Sequence, residues 1–209
     1  MNKCLVLSSK IASISFFRSI IRVRKKQEKI LLSLLQKNAD TFYGRKYAFR
    51  TITNINDFQK KVPLTTYDDY KTYIDHISKG EKDILTKEKV LMFELSSGSV
   101  TTTKLIPYTK SLKKEFQKAI ATWLYDLYTK RKLLQQGRAY WSITPAHQQQ
   151  RTETGITIGF EEDSAYFGFL RKHIIDSIMS VPKEVKNIQD FDTFRYVTFL
   201  FLLRDRNIS

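Results

Sequence analysis

The sequence predicts an α/β protein with a helical N-terminal region, and three observations carry the prediction. Ile30, Leu31, Leu34 and Leu35 form an apolar stripe at helical spacing. Val90–Leu95 and Leu105–Tyr108 are short β-prone runs on either side of a loop of small polar residues. Beyond them, Leu112, Phe116, Ala119, Ile120, Trp123, Leu124, Leu127 and Tyr128 recur at steps of three, four and one, the strongest helical pattern in the chain.

The elements follow in order. Leu5 to Gln36 reads as helix, with a break near the basic cluster Arg22–Lys26. Thr41-Phe42-Tyr43-Gly44-Arg45 reads as a turn, and Ile55–Lys60 as a short helix capped by Asn54 or Asn56 and ended ahead of Pro63. Thr66 opens the next helix, with Asp69 three residues on in capping-box form, Tyr70, Ile74 and Ile77 as its buried face and Gly80 as its stop. The long helix after the second strand starts near Thr109 or Ser111. Ala139–Ile143 reads as a buried strand, and Ile156–Phe160 as another after the polar loop His147–Glu153. Ser164–Ser180 is helical, with Phe167, Leu170, Ile174, Ile178 and Met179 apolar. Phe191–Leu203 is apolar on nearly every side and too short to span a bilayer, so it is expected to be enclosed by other protein. There is no internal repeat, low-complexity tract or Gly/Ser-rich linker.

Composition narrows the classes. The 209 residues suffice for one large domain or one and a half small ones, and 42% hydrophobic content with 14 Phe and 11 Tyr argues against disorder for the bulk of the chain. The net charge of +15 is mostly scattered, a pattern of solvated basic surface and not of a nucleic-acid stripe. The single cysteine, Cys4, excludes an intramolecular disulfide and points to a reducing, cytoplasmic compartment. His76, His147 and His173 stand far apart, with none at metal-ligand spacing, so no metal site is expected of them. The first 27 residues carry seven Lys or Arg and no acid, which fits a basic amphipathic helix and leaves an organellar presequence open. No run approaches the roughly 18 to 20 apolar residues of a membrane span.

The chemistry-bearing segment is Phe93–Thr109, FELSSGSVTTTKLIPYT. Ser96, Ser97, Ser99, Thr101, Thr102 and Thr103 surround Gly98, and Lys104 closes the loop. Hydroxyls and main-chain N–H groups donate to phosphate oxygens, glycine lets the backbone approach closely, and lysine offsets charge. On residue types alone the loop is either such a phosphate cradle or a polar hairpin turn. It is not a Walker loop, because its lysine leads into a β-prone run and does not open a helix.

SSGSVTTTKLIPYT resembles the ATP phosphate-binding signature of the Gretchen Hagen auxin-responsive-promoter family, the acyl-acid amido synthetases of the adenylate-forming superfamily. Thr41-Phe42-Tyr43-Gly44-Arg45, the segment FQKKVPLTTY (Phe58 to Tyr67), and Gly80-Glu81 followed by Ile84-Leu85-Thr86 resemble further blocks of that family in the same order. The resemblance covers nearly the whole chain. It implies a helical region over 1–88, then the start of an adenylate-forming, firefly-luciferase-like large domain over 89–209, truncated at its C-terminal side.

The implied reaction has two steps. A carboxylate attacks the α-phosphate of ATP to give an acyl-adenylate and pyrophosphate, and an amino acid or amine then displaces AMP to form an amide. ATP and Mg²⁺ are the implied cofactors, and a carboxylic acid and an amino acid or amine the implied substrates. Ser96, Ser97, Gly98, Ser99, Thr101, Thr102, Thr103 and Lys104 would contact the triphosphate by resemblance, with Lys104 serving charge or loop structure.

The sequence departs from the pattern twice. Many superfamily loops carry a second glycine where this chain has Thr101-Thr102-Thr103, and β-branched threonine disfavours the positive φ that glycine permits. The adenine, ribose and metal motifs of the longer family members are not found, so no catalytic residue is assigned and the chain is expected to be inactive alone, completed by a missing C-terminal polypeptide. The other readings are a non-catalytic remnant that binds nucleotide or a partner polypeptide, and a basic nucleic-acid-binding protein.

Overall fold

The structure is a computed structural model that describes residues 2–96, 104–131, 137–140, 150–159 and 176–208. The chain divides into two compact units, one of residues 18–112 and 150–159, the other of residues 1–17, 113–149 and 160–209.

The first of these units carries the candidate loop. Two helices open the chain, α1 (Asn2–Ile20) and α2 (Val23–Lys37), so the expected break falls at residues 21–22. Leu35 of the apolar stripe on α2 is buried, whereas Ile30 and Leu34 stay half exposed. The segment expected to be a turn is a single helical turn, α3 (Phe42–Lys46). The reason is Thr41, fully buried, whose Oγ1 accepts the Gly44 N–H at 2.9 Å and donates to the Asn38 carbonyl at 2.8 Å, satisfying a free helix-end donor. Gly44 lies so close to the preceding backbone that a Cβ would meet the Asn38 carbonyl oxygen at 2.1 Å. Only glycine fits this approach.

A short 3₁₀ turn at Phe49–Thr51 leads to α4 (Ile55–Lys61), which takes Asn54, not Asn56, as its cap through Asn54 Oδ1 and the Asp57 N–H at 2.9 Å. Helix α5 (Asp68–Ser78) begins two residues after Thr66. Asp69 reaches back to the Thr66 N–H at 2.7 Å, the carboxylate half of a capping box, and Gly80 follows the last turn with φ +87°.

Four strands form one sheet in the order β2-β1-β4-β3: β1 (Val90–Ser96), β2 (Lys104–Thr109), β3 (Gln150–Arg151) and β4 (Thr157–Ile158). β1 runs antiparallel to β2 and parallel to β4, and β3 runs antiparallel to β4. Pro107 is tolerated because β2 is an edge strand, where a missing N–H leaves no ladder partner stranded. Ile74 and Ile77 of α5 pack on Val90 and Phe93 of β1, with Tyr67, Tyr70, Ile84, Leu85, Leu105, Ile156 and Ile158 around them. Phe93 has no exposed surface and is the anchor of this core.

Helix α6 (Lys110–Lys130) starts on two partners, Thr109 Oγ1 accepting the Leu112 N–H at 3.2 Å and Glu88 Oε2 accepting the Ser111 N–H at 3.0 Å. Glu88 also binds the Lys37 ammonium and the Ser111 hydroxyl, so one carboxylate ties α2 and the approach to β1 to the start of α6.

In the other unit, Leu124 and Tyr128 of α6 pack on Ile178, with Val6 of α1, Ala139 and Met179 alongside. The strand expected at Ala139–Ile143 is represented among the described residues by parallel bridges, Arg138 with Ile208 and Ala139 with Met179. Residues 141–143, Phe160 and 164–175 of the expected strands and helix lie outside the described residues. After a 3₁₀ turn at Lys183–Asn187, helix α7 (Phe191–Arg204) is capped by Asp190, whose side chain accepts the Thr193 N–H at 2.8 Å. It was expected to be enclosed all round, and it is not. Phe194 and Thr198 are buried, with Phe194 packed on Val181 and Val185, while Phe191, Tyr196, Phe199 and Leu203 are exposed. An apolar sequence sets what can be buried, and only one stripe of α7 meets a partner here.

Candidate functional site

The strands β1 and β2 form a hairpin whose open end is the hydroxyl-rich loop. The ladder runs from Val90 opposite Thr109 to Ser96 opposite Lys104, so the first and last of the sequence-predicted phosphate-binding residues face each other as the final pair. The structure therefore brings Ser96 and Lys104 together. Ser97, Gly98, Ser99, Thr101, Thr102 and Thr103 lie outside the described residues.

The base of the loop is fixed by a residue that the sequence reading did not assign to the site. Tyr67, just ahead of α5, accepts the Leu105 N–H at 2.8 Å through its hydroxyl, and its ring packs with the core under β1. The Lys104 ammonium lies 5.3 Å from the centre of the same ring, within cation–π range. Tyr67 thus holds the edge strand at Leu105 and offers its face to the cation next door. Its signal in the sequence was its place at the end of the FQKKVPLTTY block. Lys104 is only half exposed and β2 is half buried along its length, so the lysine projects from a supported strand.

Further along the hairpin, burial pushes the Tyr108 hydroxyl's pKa up, with the Glu94 carboxylate reinforcing the effect. β1 is held from the other side as well, because the Gly159 N–H donates to the Phe93 carbonyl at 2.7 Å. The Thr154 hydroxyl donates to the Ser78 carbonyl at 2.9 Å and ties the β3–β4 turn to the end of α5. A groove on the same unit, lined by Lys79, Lys82, Lys87 and Glu88 among others, includes neither Ser96 nor Lys104.

The donor set at the hairpin mouth, a hydroxyl and an ammonium, suits phosphate oxygens. It does not suit a metal. Among the described residues no group of three or more His, Cys, Asp or Glu is placed to hold an ion. His76 is engaged with Glu81 at 2.6 Å, and His147 and His173 lie outside the described residues.

This fold is similar to part of the acyl acid amido synthetase fold. The solved structure of the GH3.15 acyl acid amido synthetase matches 91% of this chain with a TM-score of 0.69 at 25% identity, over 33% of its own length. A second structure, AtGH3.15 acyl acid amido synthetase in complex with 2,4-DB, shares the fold over 82% of the chain with a TM-score of 0.67. The profile of the GH3 family N-terminal domain matches residues 15–209, and the chain belongs to the GH3 family.

Among curated relatives, the probable indole-3-acetic acid-amido synthetase GH3.11 of Oryza sativa subsp. japonica is 31% identical over 196 residues, 89% of this chain and 32% of the relative. The indole-3-acetic acid-amido synthetase GH3.15 of Arabidopsis thaliana is 37% identical over 89 residues, 42% of this chain and 15% of the relative. The chain spans at most about a third of the length of these relatives.

Proposed function

We propose that this chain is the N-terminal portion of an ATP-dependent acyl-acid amido synthetase, and that its β1–β2 hairpin holds the phosphates of ATP. The observation that carries this reading is the pairing of Ser96 with Lys104 at the mouth of the hairpin, in a chain that belongs to the GH3 family. Residues 1–88 make up the helical N-terminal region, and residues 89–209 begin the nucleotide-binding domain.

When bound, ATP supplies the phosphoanhydride whose cleavage activates a carboxylic acid for amide formation with an amino acid or amine. The chain's own part is positional. The hydroxyls of Ser96, Ser97, Ser99 and Thr101 to Thr103 donate to phosphate oxygens, and Gly98 allows close main-chain approach. Lys104, steadied by the Tyr67 ring, offsets the negative charge. Magnesium finds no ligand cluster among the described residues, and no step is assigned to it. With no adenine, ribose or metal motif found in the sequence, the chain is expected to bind nucleotide without completing the ligase reaction, in the cytoplasm.

The test is calorimetric titration of the purified chain with ATP beside a pyrophosphate-exchange assay with carboxylic acids. Saturable ATP binding that is lost in Lys104→Ala, with no exchange, is the expected result. Exchange lost in the same variant would overturn the incomplete-enzyme reading and keep the site, whereas absence of ATP binding would overturn the site itself.

A second reading, a non-catalytic remnant that docks a partner polypeptide, is favoured by the exposed apolar residues of α7. In that case, a polypeptide corresponding to the remainder of the relatives' length would bind this chain, and Phe199→Ser with Leu203→Ser would abolish binding.

A further inference from the structure

Helix α1 buries small residues and exposes large apolar ones. Ser9 and Ser13, one helical turn apart, are fully buried, and their hydroxyls have no hydrogen-bond partner among the described residues. The side of α1 that faces protein is thus made of these small residues and Val6, which packs on the core of Leu124, Tyr128 and Ile178. Leu7, Ile11 and Ile14 are on the other side. Leu7 is 70% exposed and Ile11 81%, and Ile14 is also exposed. Leu7, Ile11, Ile14 and Arg18 follow one another at steps of four, three and four and so form one stripe along the helix.

Cations accompany that stripe. Lys10 and Arg18 lie on α1 and are exposed. No acid occurs before Glu28, although the chain as a whole carries 21 Asp and Glu. An apolar stripe edged only by positive charge fits the boundary between acyl chains and anionic headgroups, where the side chains enter the hydrocarbon and the cations meet phosphate and carboxylate groups. Among the described residues no helix is long and apolar enough to cross a membrane, so α1 would lie on a bilayer and not span it. The family match begins at residue 15, so Leu7, Lys10, Ile11 and Ile14 precede the part shared with the family.

The geometry points to α1 as an interfacial anchor that binds the surface of an anionic phospholipid bilayer through Leu7, Ile11 and Ile14, with Lys10 and Arg18 selecting negative headgroups. The inference is independent of the nucleotide site.

The experiment is co-sedimentation of the full chain with vesicles of phosphatidylcholine alone and of phosphatidylcholine mixed with phosphatidylserine, at low and high salt. Binding to the mixed vesicles, much weaker on phosphatidylcholine and reduced by salt, is expected. Lys10→Gln and Arg18→Gln should each lower partitioning about fivefold, and Ile11→Ser about tenfold or more. These side chains are exposed, so thermal melting should not change. The anchor is refuted if the mixed vesicles are not bound, if both vesicle types are bound equally, or if Ile11→Ser binds as the parent does. Self-association or RNA binding through α1 without vesicle binding would equally overturn it.

Discussion

The ammonium of Lys104 sits 5.3 Å from the centre of the Tyr67 ring, while the hydroxyl of that same tyrosine accepts the N–H of Leu105. One aromatic side chain therefore governs both the direction of the cation and the start of the strand that carries it. Replacing Lys104 by alanine removes the charge and leaves Tyr67 on Leu105. ATP affinity should fall about ten- to a hundredfold, the loss of one charge-assisted contact, with melting temperature nearly unchanged. Calorimetry and differential scanning together check this.

Tyr67→Phe separates the two roles of the tyrosine. The ring remains beneath the lysine, and the partly buried Leu105 N–H loses its acceptor. Stability should fall by about 1–3 kcal/mol, the cost of leaving such a donor unsatisfied, as read by urea unfolding. Affinity for ATP should fall less than in Lys104→Ala. A larger drop in affinity than in Lys104→Ala would mean that the strand position, and not the cation, dominates the site.

Gly44→Ala tests the tight approach at α3. The added methyl would meet the Asn38 carbonyl oxygen at 2.1 Å, a contact that must be relieved by moving backbone. Destabilisation of about 1–3 kcal/mol is expected by analogy with overpacking, and it should be non-additive with Thr41→Ala, because Thr41 bonds both Asn38 and Gly44.

Acid sensitivity should report the helix caps. Hydrogen bonds from Thr66 hold the Asp69 carboxyl below its usual pKa, and those from Thr193 do the same for Asp190. A depressed folded-state pKa means that the contribution is present above the unfolded value, about 3.9 for aspartate, and is lost as pH falls through the folded value. The stability difference between the parent chain and Asp69→Ala should be constant near neutral pH and shrink below about pH 4, as followed by thermal melts across pH.

At the alkaline end the sign reverses. Burial, then the hydrogen bond that Tyr43 shares with the Tyr70 hydroxyl at 3.1 Å, raises the Tyr43 pKa above that of a free phenol. The contribution is full below the unfolded value, about 10, and is lost as pH rises through the folded one. Tyr43→Phe should lessen the fall in melting temperature above about pH 10.

How legible each part was from the sequence follows from how local its causes are. The α5 start, its Gly80 stop and the two hairpin strands are readable because caps, positive-φ glycine and β-prone runs act within a few residues. The Thr41–Arg45 segment reads as a turn in the sequence, and its single helical turn rests on the buried Thr41 cap together with long-range bonds, the Asp83 and Ile84 carbonyls accepting the Phe42 and Tyr43 N–H groups. The role of Tyr67 at Leu105 spans 38 residues and has no local signature. For α7, periodicity showed that every face was apolar, which does not say how many faces find a partner. At the candidate site, residue types named the chemistry of the loop, whereas the opposition of Ser96 and Lys104 is a matter of strand register.

The sheet order has a consequence for the birth of the molecule. β1 is flanked by β2, its near neighbour in sequence, and by β4, which enters only at residues 157–158. A nascent chain could zip the hairpin early, yet the far side of Phe93 stays uncovered until more than sixty further residues have emerged, counting from Phe93 to Ile158. Closing so wide a gap is slow relative to local pairing. The ribosome thus delivers the loop that would hold phosphate well before the strand that seals its foundation, and a chain halted between residues 112 and 150 would carry the hairpin on an unfinished sheet.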